Sequence, residues 1–285
     1  MLHCLVIIDD NSTLVTRECA MPVVRTGSYL LHYEINGDGE PLLLLHGLGS
    51  SALDWQAQVP VFSSAYQVIT PDLVGFGRSD KLTQPHSIVE YANDILKLLD
   101  HLGIDRCHVL GYSMGGAVAF QMGTAMPRRV RSLIILNSLP SFVLDTVAKR
   151  LEYYLRLLIV RLFGMKPLAR LVTKRLLPQE EYRDVAEKMA GRYARNDRKS
   201  YIEALKALVG WSTVDRLGML TMPVLMISAD RDYTPVAEKR KYLERMPNAR
   251  LEVISDSRHA TPVDQAATLN KIVLEFLAEV SRTNS

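Results

Sequence analysis

The chain has 285 residues, of which 48% are hydrophobic and 23% charged, with a formal net charge of +3. This length admits one or two domains, and one large α/β domain carrying an insertion fits it, with composition enough for a sizeable core. The charge is too small to argue for a nucleic-acid partner, and no apolar run reaches the roughly 18–20 residues of a membrane span.

The N-terminus, Leu5 to Ile8 followed by Asp9 and Asp10, is too short and too acidic for a secretory leader, which points to the cytoplasm. Cys4, Cys19 and Cys107 are an odd set without metal-ligand spacing, so neither disulfides nor a metal is expected. Cys107 is expected on a central strand as a small core residue. Residues 1–22 read as an extension or an edge strand. Val23 to Ile35 reads as a pair of strands, and Asn36-Gly37-Asp38-Gly39 is a strong turn signal.

The unbroken apolar run Pro41 to Leu45 suits a strand buried on both faces. It ends in His46-Gly47-Leu48-Gly49, a glycine turn whose backbone N–H groups can cradle negative charge. Leu53 to Val59 is expected to be a short helix with Pro60 near its end, and Tyr66 to Thr70 the next strand. In the following loop, Asp72 and Arg78 are expected to fix the two-glycine turn by ionic hydrogen bonds. Ile88 to Leu102 carries apolar residues at helical spacing, and Gly103 closes it.

Cys107 to Leu110 is a strand that enters Gly111-Tyr112-Ser113-Met114-Gly115-Gly116 and leaves as a helix to about Ala125. A strand that becomes a helix within about two residues strains its middle residue and lifts that side chain clear of the sheet. Glycines on both sides avoid collisions with the neighbouring backbone. Val130 to Asn137 is another buried strand.

The alternation then pauses. Residues 141–221 contain helical stretches at Thr146–Phe163, Lys166–Leu177, Glu180–Arg195 and Lys199–Val209, and no convincing strand. This reads as an inserted helical cap between two core segments, 23–140 and 222–285. It holds 16 Lys and Arg against 9 Asp and Glu. The preferred reading is a cap with its charges in water. The sharper one is a lid handling acidic or membrane-borne substrates, with Leu151–Phe163 suited to a membrane surface. Alternation resumes with a strand at Pro223–Ala229, a helix at Val236–Arg245, a strand at Arg250–Ile254 and a closing helix at Val263–Val280. Strands alternating with helices imply a mostly parallel sheet with helices on both faces and ligands beyond the strands' carboxyl ends.

Serine is a poor nucleophile unless an imidazole accepts its proton and a carboxylate fixes that imidazole. Of the seven histidines, only His259 follows the last expected strand. His3 and His32 fall in the N-terminal region, His86 and His101 in a loop and a helix, and His108 within a strand. His46 opens the glycine turn, where a structural role is expected. The loop after Met226-Ile227-Ser228 offers two carboxylates, Asp230 and Asp232.

Taken together, His46-Gly47-Leu48-Gly49, the Asp72-x-x-Gly75-x-Gly77-x-Ser79 loop, Gly111-x-Ser113-x-Gly115-Gly116, a post-strand aspartate and His259 resemble the α/β-hydrolase-fold serine hydrolases of the esterase and lipase type. The likeness covers roughly residues 23–140 and 220–281. It implies a triad of Ser113, Asp232 and His259. Asp232 is favoured by counting forward from Pro223, with Asp230 the alternative because counting back from Pro235 misses by one. It also implies an oxyanion hole from the Leu48 and Met114 backbone N–H groups, and no cofactor. The expected reaction is hydrolysis of a small-molecule carboxylic ester through an acyl-enzyme. Rivals are carbon–carbon cleavage of a diketone-like ring-cleavage product by the same triad, and a non-catalytic ligand-binding protein on the same fold. Serine at 113 argues against dehalogenation or epoxide opening, for which relatives use aspartate.

Overall fold

The computed structural model describes residues 6–8, 14–16 and 22–283. Strands β1 (Val6–Ile8) and β2 (Leu14–Thr16) pair antiparallel in a sheet of their own. Cys4 and Cys19 lie outside the described residues.

The main sheet is built from β3 (Val23–Thr26), β4 (Tyr29–Asn36), β5 (Glu40–Leu45), β6 (Tyr66–Pro71), β7 (Cys107–Tyr112), β8 (Val130–Leu136), β9 (Val224–Ala229) and β10 (Ala249–Ile254). Its order is β10-β9-β8-β7-β5-β6-β4-β3. All neighbours from β10 to β6 are parallel, and β4 and β3 add on antiparallel. The Asn36–Gly39 turn therefore does not close a hairpin: β6 lies between the strands it joins.

The leucine run of β5 explains the layering. Leu43 and Leu45 face one core, with Tyr91, Ile95 and Leu99 of α2 (Ile88–His101) and Ala117 and Phe120 of α3 (Met114–Ala125). Leu42 and Leu44 face the other, with Phe62 of α1 (Val59–Phe62) and Leu269, Val273 and Phe276 of the last helix. Alternate side chains of a strand point to opposite faces, so a strand covered on both sides must be apolar throughout. Each such leucine contributes about 2 kcal/mol by leaving water. Cys107 is a free, buried residue of β7.

Two expected helices differ. In place of Leu53–Val59 there is a 3₁₀ turn at Ala52–Trp55, and Pro60 lies in the first turn of α1 instead of near a helix end. Proline tolerates that position because its missing N–H would have no partner there. The closing helix is broken at Gln265 into α9 (Thr261–Asp264) and α10 (Ala266–Thr283). Asp264 turns back at the break, accepting from Ser257 Oγ at 2.7 Å and from the Arg258 N–H at 2.8 Å.

Between β8 and β9 run α4 (Val147–Phe163), α5 (Met165–Leu176), α6 (Arg183–Ala194) and α7 (Arg198–Leu208). The helix α8 (Val236–Leu243) joins β9 to β10. Among the described residues no helix is long and apolar enough to cross a membrane.

Candidate active site

Ser113 sits between β7 and α3 with φ 53° and ψ −115°. That left-handed backbone costs a non-glycine residue about 1–3 kcal/mol and persists only when its surroundings enforce it. The enforcing contacts are backbone to backbone. A Cβ on Gly115 would lie 2.2 Å from the Leu45 carbonyl oxygen, and one on Gly111 would lie 2.3 Å from the Gly115 carbonyl oxygen.

His259, in the loop after β10, places Nε2 2.9 Å from Ser113 Oγ and Nδ1 2.7 Å from Asp232 Oδ1. The ionised carboxylate can only accept, so the Nδ1 proton is fixed and the lone pair is left on Nε2. Asn137 holds this loop against the sheet. Its Nδ2 donates to the His259 carbonyl at 2.9 Å and to Thr261 Oγ1 at 2.8 Å, while its Oδ1 accepts from the Ala229 N–H at 2.8 Å.

Asp232, between β9 and α8, has a second set of partners. Oδ2 accepts from Lys239 Nζ at 2.8 Å and from the Thr234 hydroxyl. Lys239 is fully buried and gives its other two N–H bonds to Ser228 Oγ at 2.8 Å and the Thr234 carbonyl at 2.7 Å. Burial raises the Asp232 carboxyl, but His259 and then Lys239 outweigh it and hold the group far below the usual carboxylate range. Burial lowers the Lys239 ammonium, against the pull of Asp232. Asp230 does not touch His259. It accepts from the backbone N–H groups of Asp256 at 3.1 Å and Ser257 at 3.0 Å, bracing the loop that carries the histidine.

Tyr233 brings its hydroxyl within 2.6 Å of His259 Nε2 and stacks on the imidazole at 4.0 Å between centroids. The Arg175 guanidinium covers the Tyr233 ring at 5.2 Å. Burial and the Asp232 charge push the Tyr233 phenol up, so it stays protonated. Nε2 thus faces two hydroxyls with one lone pair.

Leu48 and Met114 present backbone N–H groups that find no acceptor among the described residues. The Leu48 carbonyl accepts from the Tyr193 hydroxyl and the Gly49 carbonyl from Asn196 Nδ2, so the end of α6 pins the glycine turn from above. His46 uses both ring nitrogens structurally, donating to the Gly47 carbonyl at 2.8 Å and accepting from the Leu73 N–H at 2.9 Å. Asp72 accepts from the Ala52 and Arg78 N–H groups at 2.8 and 2.9 Å, fixing the two-glycine loop as expected.

These groups open into a cavity of about 730 Å³. Its floor is Gly47, Leu48, Ser113 and His259, and its roof includes Tyr153, Arg156, Val172, Leu176 and Arg192 of the inserted helices. Among the described residues no three His, Cys, Asp or Glu side chains cluster as a metal site.

Lys239, Tyr233, Asn137, Tyr193 and Asn196 were not singled out by the sequence. Lys239 stands in the run Glu238-Lys239-Arg240-Lys241, where nothing in the sequence distinguishes it from the exposed Arg240 and Lys241. Tyr233 adjoins the aspartate in sequence, and that adjacency is the one signal that could have found it.

A family profile described as the alpha/beta hydrolase fold matches residues 40–266. A protein of Stutzerimonas stutzeri (strain A1501) named "Putative carbamate hydrolase RutD" is 30% identical over 265 residues, covering 87% of this chain and 97% of its own. The 3-oxoadipate enol-lactonase 2 of Acinetobacter baylyi is 28% identical over 240 residues, covering 83% and 88%. Among solved structures, a thermophilic esterase from Thermogutta terrifontis superposes with a TM-score of 0.80 at 26% identity, covering 88% of this chain and 94% of its own.

Proposed function

The chain belongs to the α/β-hydrolase-fold family, and from that premise we propose that it cleaves a small-molecule carboxylic ester through an acyl-enzyme on Ser113. What carries the reading is the hydrogen-bonded line from Ser113 through His259 to Asp232.

Ser113 Oγ attacks the ester carbonyl carbon while its proton passes to His259 Nε2. Asp232 stays ionised and stabilises the imidazolium. The Leu48 and Met114 N–H groups, lacking acceptors of their own, receive the developing oxyanion, each contributing about 3–4 kcal/mol to the transition state. The imidazolium returns its proton to the departing alkoxide, and the alcohol leaves. His259 then takes a proton from water, whose oxygen attacks the acyl carbon, and the acid is released with Ser113 regenerated. No metal or cofactor enters any step. The helices between β8 and β9 act as the cap that selects the acyl chain.

The same machinery suits a carbamate or lactone carbonyl, and the names of the Stutzerimonas and Acinetobacter relatives favour including both in the substrate panel. The test is hydrolysis of short and medium p-nitrophenyl esters together with covalent labelling by a fluorophosphonate. Turnover and labelling that both vanish in Ser113→Ala support the reading, and labelling that survives overturns it. Tight binding of an ester-like ligand with no turnover would instead favour a binding protein on this fold.

A further inference from the structure

Helix α4 buries the wrong face for an ordinary surface helix. Leu157 and Val160 pack inward. Val147, Leu151, Tyr154, Leu155, Leu158 and Leu162 point outward, with exposures from 46% for Leu155 to 79% for Val147. At 3.6 residues per turn these six fall within about 100° of arc, on the far side from the buried pair. Phe163 and Leu171 extend the apolar surface across the junction with α5, and both are more than half exposed at 68% and 52%. Single exposed leucines are ordinary, but a continuous exposed stripe marks an interaction surface.

The charges around the stripe have one sign. Residues 147–176 hold eight basic side chains and one acidic, Glu152. Glu152 is already engaged by Arg156 and Arg175 at 2.7 and 3.0 Å. Arg150, Arg161, Lys166, Arg170 and Lys174 are exposed and pair with no carboxylate among the described residues.

We propose that this stripe seats the protein on an anionic lipid surface, with α4 lying in the interface plane. The leucines and aromatics enter the acyl boundary while the flanking cations meet the headgroups. A second copy is disfavoured as the occupant because a two-fold contact sets the patch against itself and opposes two sets of the five unpaired cations. The inner side of α4 contributes Lys149, Glu152, Tyr153 and Arg156 to the cavity wall. A bilayer on the outer side therefore lies about one helix diameter, roughly 10 Å, from the cavity.

The full chain is sedimented with vesicles of phosphatidylcholine alone and with about 30% phosphatidylglycerol, at about 0.1 M and 1 M salt. The expected result is a partition coefficient at least tenfold higher on the anionic vesicles, with most of that preference lost at high salt. Leu158→Glu combined with Leu162→Glu is expected to lower it at least tenfold while thermal midpoint and turnover of a soluble ester stay unchanged. Equal partition into both vesicle types, or an unaffected double variant, overturns the proposal. So does a dimer in light scattering that the same two substitutions dissociate. Vesicle binding is read without turnover, so loss of the esterase reading leaves this result standing, and the reverse.

Discussion

Lys239 Nζ lies 2.8 Å from Asp232 Oδ2, and both side chains are fully buried. The aspartate that orients His259 is therefore neutralised from behind by a cation with no access to water. Lys239→Met keeps the volume but leaves the Asp232 carboxylate buried without its cation, and breaking a buried pair from one side is expected to cost about 3–5 kcal/mol of stability. Adding Asp232→Asn removes the stranded charge and is expected to recover part of that loss. Urea midpoints of the single and double variants check this, and a double variant no more stable than Lys239→Met would place the effect in packing.

The two candidate aspartates divide their work, and the division can be measured. Asp232→Asn removes the acceptor that fixes the Nδ1 proton of His259, and kcat is expected to fall about 10⁴-fold. Asp230→Asn turns one of the two oxygens that accept from the Asp256 and Ser257 N–H groups into a donor, so one of those bonds to the histidine loop is lost. Its expected effect is about 1–2 kcal/mol of stability. Urea midpoints and kcat for both variants test the assignment. A larger loss of kcat in the Asp230 variant would reverse it.

Tyr233 competes with Ser113 for one lone pair on His259 Nε2. Tyr233→Phe deletes the competitor and keeps the ring that stacks on the imidazole. A neutral hydrogen bond of about 1 kcal/mol, given up before Ser113 can be deprotonated, corresponds to roughly a fivefold rate. The fluorophosphonate labelling rate is expected to rise by that factor. A tenfold fall would mean that the phenol assists the reaction.

Asp72 anchors the loop that follows β6, and its charge contributes to stability in a defined pH window. Burial raises its carboxyl, but His32, His46 and the two backbone donors outweigh this and hold it at about 2 against an ordinary 3.8. A carboxyl depressed in the folded state stabilises the fold above its unfolded value, and that contribution fades as pH falls from about 4 toward 2. The shift corresponds to about 2 kcal/mol. Asp72→Asn is thus expected to lower the urea midpoint at pH 7, and its deficit relative to wild type should narrow as the pH approaches 3. A deficit independent of pH would place the effect in packing.

How much of this was legible depended on whether the signal was local. The β5 leucines announce a strand covered on both faces because no half-exposed strand tolerates them. Gly111 and Gly115 announce a tight turn because only glycine survives backbone contacts of 2.3 and 2.2 Å. The break at Gln265 was invisible, because it follows from Asp264 bending back to Ser257 and Arg258, a contact the helical pattern does not encode. For Asp230 and Asp232 the sequence offered only a count that ran differently from its two ends, because both stand in one loop and the partner that separates them, His259 Nδ1 on Asp232, arrives from a distant strand end.

The sequence by itself determined the α/β alternation, the strained serine turn and the chain order of serine, aspartate and histidine, because each is written in residues adjacent along the chain. Tertiary structure alone decided that a buried lysine backs the aspartate, that a tyrosine shares the imidazole, and that α4 turns its leucines outward. A lysine in a charged run and a leucine stripe on a helix read the same whether they face water or the interior. Only the packing of the neighbouring elements fixes which side is covered.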